Sequence, residues 1–198
     1  MDAVRVALLR EVLAGTEWLG ATRRFASGLR GSVVAHGGGL LLVGTPAYEP
    51  WHLAAHLVDE AAWSGTPELA PVLVRHGARP GDPAHLAVGP GRIEEARRGE
   101  TLLVVAPEEP AGLLERVHAA RRAGATVLSL GAAAGELAAM SHDTLTVPEA
   151  AELDLDSVQH LVSAAAGENG GPPGARRGFR DRLSRLAELL TAPPSAPW

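Results

Sequence analysis

Residues 40–57 carry the sequence LLLVGTPAYEPWHLAAHL, in which a short apolar run passes through a glycine turn into a helical pattern. A continuous apolar run such as Leu40–Val43 is typical of a strand that is covered on both faces. Pro50 suits the first turn of a helix, since the N–H that proline lacks would have no helical partner there. Apolar residues then recur at helical spacing as far as Trp63. The stretch therefore predicts a strand, a turn and a helix, which is the opening of an α/β unit.

The same alternation continues along the chain. Apolar runs at 72–74, 102–105, 126–130 and 144–147 predict four more strands, and helical patterns lie at 110–123, 133–140 and 154–166. Strands that alternate with helices need right-handed crossovers, which make the strands parallel. We therefore predict a three-layer α/β fold with a five-stranded parallel sheet flanked by helices. A pair of helices over residues 2–35 precedes the first strand.

Composition divides the chain into three parts. Residues 1–166 form the predicted α/β domain with its N-terminal helices, and residues 167–175 form a Gly/Pro linker. Residues 176–198 contain an amphipathic helix followed by a proline-rich tail. The apolar face of that helix must pack on this subunit or on a partner, and it consists of Phe179, Leu183, Leu186, Leu189 and Leu190.

Composition also excludes several classes of function. The chain has 198 residues and no cysteine, so disulfides and thiolate metal sites are excluded. The formal net charge of −5 gives no bulk attraction for nucleic acid or acidic membranes. The apolar runs are too short to span a bilayer, and the N-terminus lacks a signal-peptide pattern. We expect a cytoplasmic protein with no nucleic-acid and no membrane partner.

Two stretches resemble a known family. The first is the strand and glycine turn at 40–44 followed by HLAAHL at 52–57, and the second is the strand, loop, helix and strand over 102–130. Their order resembles the sugar isomerase (SIS) family, and its phosphoheptose isomerase branch in particular, over about residues 3–166. The resemblance implies a SIS-like fold, a sugar-derived ligand and a homodimer with paired N-terminal helices, or a higher homo-oligomer.

Two loops depart from that family pattern. The resemblance places phosphate-binding glycines and hydroxyl residues in the loops that here read GTPAYE at 44–49 and APEEP at 106–110. Prolines lack the N–H that a phosphate needs, and each carboxylate close to a phosphate repels it by about 1 kcal/mol or more. We therefore expect divergent phosphate loops. The alternative is that the paired acids only favour a helix N-terminus. The candidate ligand-binding residues are Gly44, Thr45, Tyr48, Glu108 and Glu109.

The most suggestive chemistry lies on the helix that follows the first loop. Glu49, His52, His56 and Glu60 are spaced by three and four residues, which predicts one helical face. A His pair at i, i+4 can hold a divalent metal ion that a carboxylate completes. Glu49 and Glu60 are the candidate proton-transfer bases. Alternatively, the two histidines face solvent or a dimer interface.

The family resemblance implies zinc at this position. Phosphoheptose isomerases supply a His and a Glu four residues later from the matching helix, where this chain has His52 and His56. A late helix adds a Gln, which Gln159 resembles, with His160 beside it. The next expected ligand falls near Gly167, which has no side chain to donate. The predicted metal ligands are therefore His52, His56, Gln159 and His160.

Three functions follow from these patterns. The first is a SIS-like protein with reduced or no catalysis, which binds a small sugar derivative or acts as a dimeric scaffold. The second is an active, metal-dependent phosphosugar isomerase, which interconverts aldose and ketose. The third is a structural partner protein that docks through its C-terminal helix.

Overall fold

Five parallel strands form the centre of the molecule. The structure, a computed structural model, describes residues 3–79, 81–131, 135–147 and 153–168. The strands are β1 (Leu40–Val43), β2 (Pro71–Val74), β3 (Thr101–Ala106), β4 (Thr126–Gly131) and β5 (Asp143–Thr146). They pair in parallel in the order β2-β1-β3-β4-β5. The predicted α/β class and five-stranded parallel sheet are confirmed.

Helices cover both faces of the sheet. They are α1 (Ala3–Val12), α2 (Glu17–His36), α3 (Trp51–Ser64), α4 (Gly91–Glu94), α5 (Ala111–Arg122), α6 (Glu136–Met140) and α7 (Leu155–Glu168). The leading pair, α1 and α2, precedes β1 as predicted. Helix α7 continues through residues 167 and 168, so the predicted linker begins two residues too early. The predicted C-terminal helix in 176–198 lies outside the described residues. No helix in the described ranges has both the length and the apolar character needed to cross a bilayer.

Alternate residues of β1 enter two different cores. Leu40 and Leu42 of β1 belong to the core that contains Phe25 of α2 and the inner faces of α3 and α7. Leu41 and Val43 belong to the core beneath α5. This alternation follows from the period of two in a strand, and it explains why all four β1 residues are buried and apolar. The sequence can therefore be continuously apolar only because helices lie on both sides.

Strand order places one crevice at the centre of the sheet. β1 pairs with β2 on one side and with β3 on the other, so the loops after β1 and β3 diverge to opposite faces. In open α/β sheets, ligands bind beyond the carboxyl ends of the strands at such a reversal point. The loop after β1 leads into α3, and the loop after β3 leads into α5. Helix α7 packs against α2 and α3.

Candidate functional site

The loop after β1 is closed by its own hydrogen bonds. The Thr45 N–H donates to the Tyr48 carbonyl at 2.8 Å, and the Tyr48 N–H donates to the Thr45 carbonyl at 3.2 Å and to its Oγ1 at 3.1 Å. Gly44 approaches so closely that a Cβ there would lie 2.1 Å from the Tyr48 carbonyl oxygen. The amides of Thr45 and Tyr48 are thus used within the turn. The structure leaves neither of them for an incoming anion.

The loop after β3 brings a carboxylate to the start of α6. Glu109 Oε2 accepts the N–H of Glu136 at 2.8 Å, and Oε1 accepts the N–H of Leu137 at 3.3 Å. These N–H groups open α6 and have no helical partner of their own. Because β3 and β4 are neighbours, the loops that follow them meet at the same edge of the sheet. Glu109 therefore occupies amides that could otherwise bind an external anion.

Glu108 lies between the two loops. Its Oε1 accepts a long hydrogen bond of 3.4 Å from Thr45 Oγ1, and its side chain is exposed. This contact links the loop after β1 to the loop after β3 across the crevice. Of the two acids at this position, Glu109 caps a helix, as the alternative interpretation of these acids proposed, although the capped helix is α6 and not the adjacent α5.

Glu49 does not share the histidine face of α3, which corrects the single-face prediction. The helix begins at Trp51, and Glu49 precedes it in the loop. Its Oε2 accepts hydrogen bonds from Trp51 Nε1 at 3.0 Å and from Arg75 Nε at 3.3 Å, and its Oε1 accepts the Gly77 N–H at 3.1 Å. Partial burial acts to raise the pKa of Glu49, but these donors outweigh it and hold the pKa below its usual value. A carboxylate held in this way is a weak proton acceptor.

Arg75 and Asp82 complete this network, and the sequence analysis missed both. Arg75 Nη1 donates to Asp82 Oδ2 at 2.9 Å and to the Leu86 carbonyl at 3.0 Å. The guanidinium carbon also lies 4.7 Å from the centre of the Trp51 ring. The signal that could have found Arg75 is its place directly after β2, since the carboxyl ends of parallel strands carry binding residues.

Tyr48 connects the first loop to α7. Its hydroxyl donates to Asp156 Oδ1 at 2.8 Å and accepts from Gln159 Nε2 at 2.7 Å. Burial raises the pKa of Tyr48 to about 12; the Gln159 hydrogen bond opposes the rise, and the bond to Asp156 adds to it. Gln159 is buried, and its Oε1 accepts no hydrogen bond from the described residues. Asp156 is a further participant that the sequence analysis missed.

Three histidines meet between α3 and α7. The ring centres lie 4.4 Å apart for His52 and His56, 4.4 Å apart for His52 and His160, and 4.6 Å apart for His56 and His160. One ligand nitrogen from each ring lies within 4.8 Å of the others. The structure thus joins three of the four predicted metal ligands in one cluster. The fourth, Gln159, donates its Nε2–H to Tyr48, and its Oε1, the atom that could ligate a metal, has no hydrogen-bond partner among the described residues.

Of the two cluster histidines on α3, His56 is buried and His52 is exposed. His56 is 6% exposed, and neither ring nitrogen has a hydrogen-bond partner among the described residues. The pKa of His56 is lowered to about 4, mainly by burial and next by the positive charges that His160 and His52 would carry. The ring is therefore neutral near pH 7 and offers a lone pair. A buried nitrogen without a hydrogen bond is costly, and coordination of a cation would satisfy it.

Glu60 lies one turn beyond His56 on the same buried face. It is 1% exposed, and its carboxylate lies against the backbone of Gly167: a Cβ at that position would be 1.8 Å from Glu60 Oε2. Gly167 is the position where the family resemblance implies a further ligand. Here the carboxylate of Glu60 occupies the space that a side chain at 167 would need.

The chain is similar to known proteins in structure but not in sequence. No protein-family model matches the chain, and no curated protein matches it. The NanR protein of Vibrio vulnificus, complexed with ManNAc-6P, superimposes with a TM-score of 0.52 at 13% identity, over 85% of this chain and 61% of that chain. A candidate phosphosugar isomerase from Silicibacter pomeroyi DSS-3 gives a TM-score of 0.52 at 17% identity, over 96% and 55% of the two chains.

A third structure agrees with these two. A candidate sugar-binding protein from Salmonella typhimurium LT2 gives a TM-score of 0.55 at 13% identity, over 95% of this chain and 55% of that chain. The chain spans between 55% and 61% of the length of these structures. The parallel five-stranded sheet flanked by helices matches them throughout most of this chain. The chain therefore has the fold of the sugar isomerase (SIS) domains.

Proposed function

We propose that this SIS-fold chain binds a small sugar derivative that carries no phosphate group, with reduced or no isomerase activity. The fold and the ligand named for the Vibrio vulnificus structure support a sugar-derived ligand. The observation that carries the rest of the proposal is the Glu109 carboxylate, which accepts the N–H groups of Glu136 and Leu137. An anion bound at those amides would have to displace a carboxylate that is part of the chain.

The electrostatics of the crevice favour the same conclusion. Glu108 and Glu109 both lie in the loop after β3, where a phosphate would add about two more negative charges, whereas Arg75 offsets the charge of Glu49. Each close pair of like charges costs about 1 kcal/mol even in water-like screening. Sugar hydroxyl groups, in contrast, can donate hydrogen bonds to carboxylates. A neutral or amino-substituted sugar is therefore the better fit for this crevice.

A thermal-shift panel of matched compounds tests this proposal. Each sugar is paired with its own phosphate ester, so that the two members differ in the phosphate alone. We expect the melting temperature to rise with one or more free sugars and to stay unchanged with the corresponding esters. A rise with the esters that is larger than the rise with the free sugars would overturn the proposal. A turnover assay with the same esters measures residual isomerase activity.

A second candidate is a metal-dependent phosphosugar isomerase of the phosphoheptose isomerase type, and the three-histidine cluster favours it. The buried, unbonded nitrogens of His56 fit a divalent cation such as zinc, which His52, His56 and His160 would hold. Bound there, zinc would supply Lewis acidity toward a sugar carbonyl. Of the predicted bases Glu49 and Glu60, Glu49 is a poor proton acceptor, because Arg75, Gly77 and Trp51 already bond its carboxylate.

Metal analysis of protein purified without an affinity tag tests this second candidate. We expect about one zinc ion per chain, since three imidazoles and one open position make a typical zinc set. The His56→Ala variant should lose the metal, whereas His118→Ala, a change at an exposed histidine of α5, should retain it. A metal content near zero in the unmodified protein, or equal content in both variants, would exclude the zinc site.

Self-association is part of the proposal as well. Helix α1 exposes Leu8 and Val12, which are 57% and 77% exposed, and pairing of the N-terminal helices would bury them. The molar mass from light scattering should correspond to a dimer. The Val12→Asp variant should shift it toward a monomer, and an unchanged dimer in that variant would place the interface elsewhere.

A further inference from the structure

Helix α3 has apolar residues on the side that faces away from the core. Its inner side packs into the core, but Trp51, Val58 and Trp63 are 42%, 49% and 50% exposed. Trp51, Ala55, Val58 and Ala62 are spaced by four, three and four residues, so they lie along one line of the helix. We call these four residues the α3 stripe. A row of this kind on a surface helix marks a place where another element packs.

The surroundings of the stripe are acidic. Residues 51–74 contain no lysine or arginine, and their acids outside the core are Asp59 and Glu68, since Glu60 is buried. The next arginine in the chain, Arg75, is already paired with Glu49 and Asp82. An element that covers the stripe is therefore expected to carry positive charge beside its apolar face.

One segment of this chain has that combination. Residues 176–190, RRGFRDRLSRLAELL, contain five arginines and two acids, and residues 179, 183, 186 and 190 are apolar and are also spaced by four, three and four. The segment lies outside the described residues. Residues 169–198 carry a net charge of +3, so residues 1–168, with 13 arginines and 21 acids, carry −8. We propose that residues 179–190 dock as an amphipathic helix along the α3 stripe of the same chain.

The end of α7 lies in the right place for this contact. Arg30 donates one hydrogen bond to the Ala166 carbonyl and another to Thr66 Oγ1, so the last turn of α7 lies beside the residues that follow α3. Gly167 also lies against Glu60 of α3. Ten linking residues reach at most about 33 Å when extended, and a 14-residue helix such as α3 is about 21 Å long. The segment can therefore reach the whole stripe.

A second copy of this chain is less suited than residues 179–190 to cover the α3 stripe. Symmetric pairing of α3 with α3 would bring two acidic surfaces together, and like charges across an interface weaken it. The arginines of 176–190 would instead lie near Asp59 and Glu68. Docking of the segment would also cover Trp63 at the end of α3 that is closest to the chain's exit from α7.

Chemical crosslinking in the full-length chain tests the proposal directly, because the protein has no cysteine of its own. One double variant carries Ala62→Cys with Ala187→Cys, and the matched control carries Ala35→Cys with Ala187→Cys. Ala62 and Ala35 are both exposed alanines, on α3 and α2, and each lies a few residues from a contact with the end of α7. A short bis-maleimide should join the first pair within one chain with about tenfold higher yield, because docking raises the effective concentration.

Equal yields from the two pairs, or crosslinks that form only between two chains, would overturn the proposal. Hydrogen exchange provides a second readout in the otherwise unmodified protein. Amides of residues 179–190 should exchange about tenfold more slowly than in Val58→Asp, which breaks the stripe. The control Val34→Asp changes an equally exposed valine of α2 and should leave that exchange slow. Fast exchange of 179–190 in the unmodified protein would contradict docking.

Discussion

Replacing Glu109 with alanine tests whether the loop after β3 is filled by the protein's own carboxylate. The change removes two hydrogen bonds, at 2.8 Å and 3.3 Å, from the first amides of α6. Loss of a side-chain cap costs roughly 0.5–2 kcal/mol, and loss of a negative charge at a helix N-terminus costs about 0.3–1 kcal/mol. Because the side chain is only partly buried, we expect the free energy of unfolding to fall by about 1.5 kcal/mol.

Urea denaturation measures this change. With a slope of about 2 kcal/mol per molar urea, the midpoint should fall by about 0.7 M. Glu109→Gln retains an oxygen acceptor without the charge and should lose about half as much. The matched control Glu108→Ala removes a single hydrogen bond of 3.4 Å from an exposed side chain and should change the free energy by less than about 0.5 kcal/mol. Equal losses in the Glu108 and Glu109 variants would show that Glu109 does not cap α6.

The remaining predictions concern the first loop. Tyr48 is the chain's single tyrosine, so its ultraviolet titration should give a midpoint near pH 12 in the folded protein and near 10 in urea. Because the pKa of Tyr48 is higher in the folded protein, its neutral hydroxyl stabilises the fold fully below pH 10. This contribution to the free energy of unfolding, up to about 2 kcal/mol, is lost as the pH rises toward 12. A midpoint near pH 10 in the folded protein would contradict the burial of this hydroxyl. Gly44→Ala should destabilise the protein by about 2–3 kcal/mol in thermal unfolding, because its Cβ would lie 2.1 Å from the Tyr48 carbonyl. The control Gly31→Ala lies on α2, where a Cβ would have no atom within 4 Å, and it should stabilise the protein by roughly 0.5–1 kcal/mol. Similar effects at both glycines would show that the turn after β1 is less tightly closed than described.

The strands were predictable because burial on both faces requires a continuous apolar run, which is visible locally. Leu40–Val43 shows this most clearly. The pairing of His52 with His56 was also predictable, since both lie on one helix at a spacing of four. His160 was predicted only as the neighbour of Gln159, which the family resemblance implied, since whether a residue of α7 meets α3 depends on how the two helices pack.

Two other features depended on tertiary structure. Glu49 was assigned to the histidine face by spacing alone, but the helix begins after Pro50, and Arg75, which follows β2, pairs with the carboxylate. The role of Glu109 required knowing that β3 and β4 are adjacent, which brings the loop after β3 to the first amides of α6. In both cases the partner of the charged side chain follows a different strand of the sheet, and the local sequence does not show which strands are neighbours.

The proposed function requires that the turns after β1 and β3 hold no phosphate group. Crystals grown with a sugar phosphate at high concentration test it most directly. We predict that Glu109 stays bonded to the amides of Glu136 and Leu137 and that the turn from Thr45 to Tyr48 stays closed, with no phosphate bound in either loop. A phosphate held by the backbone amides of these two loops would contradict the proposed function and favour a working phosphosugar isomerase.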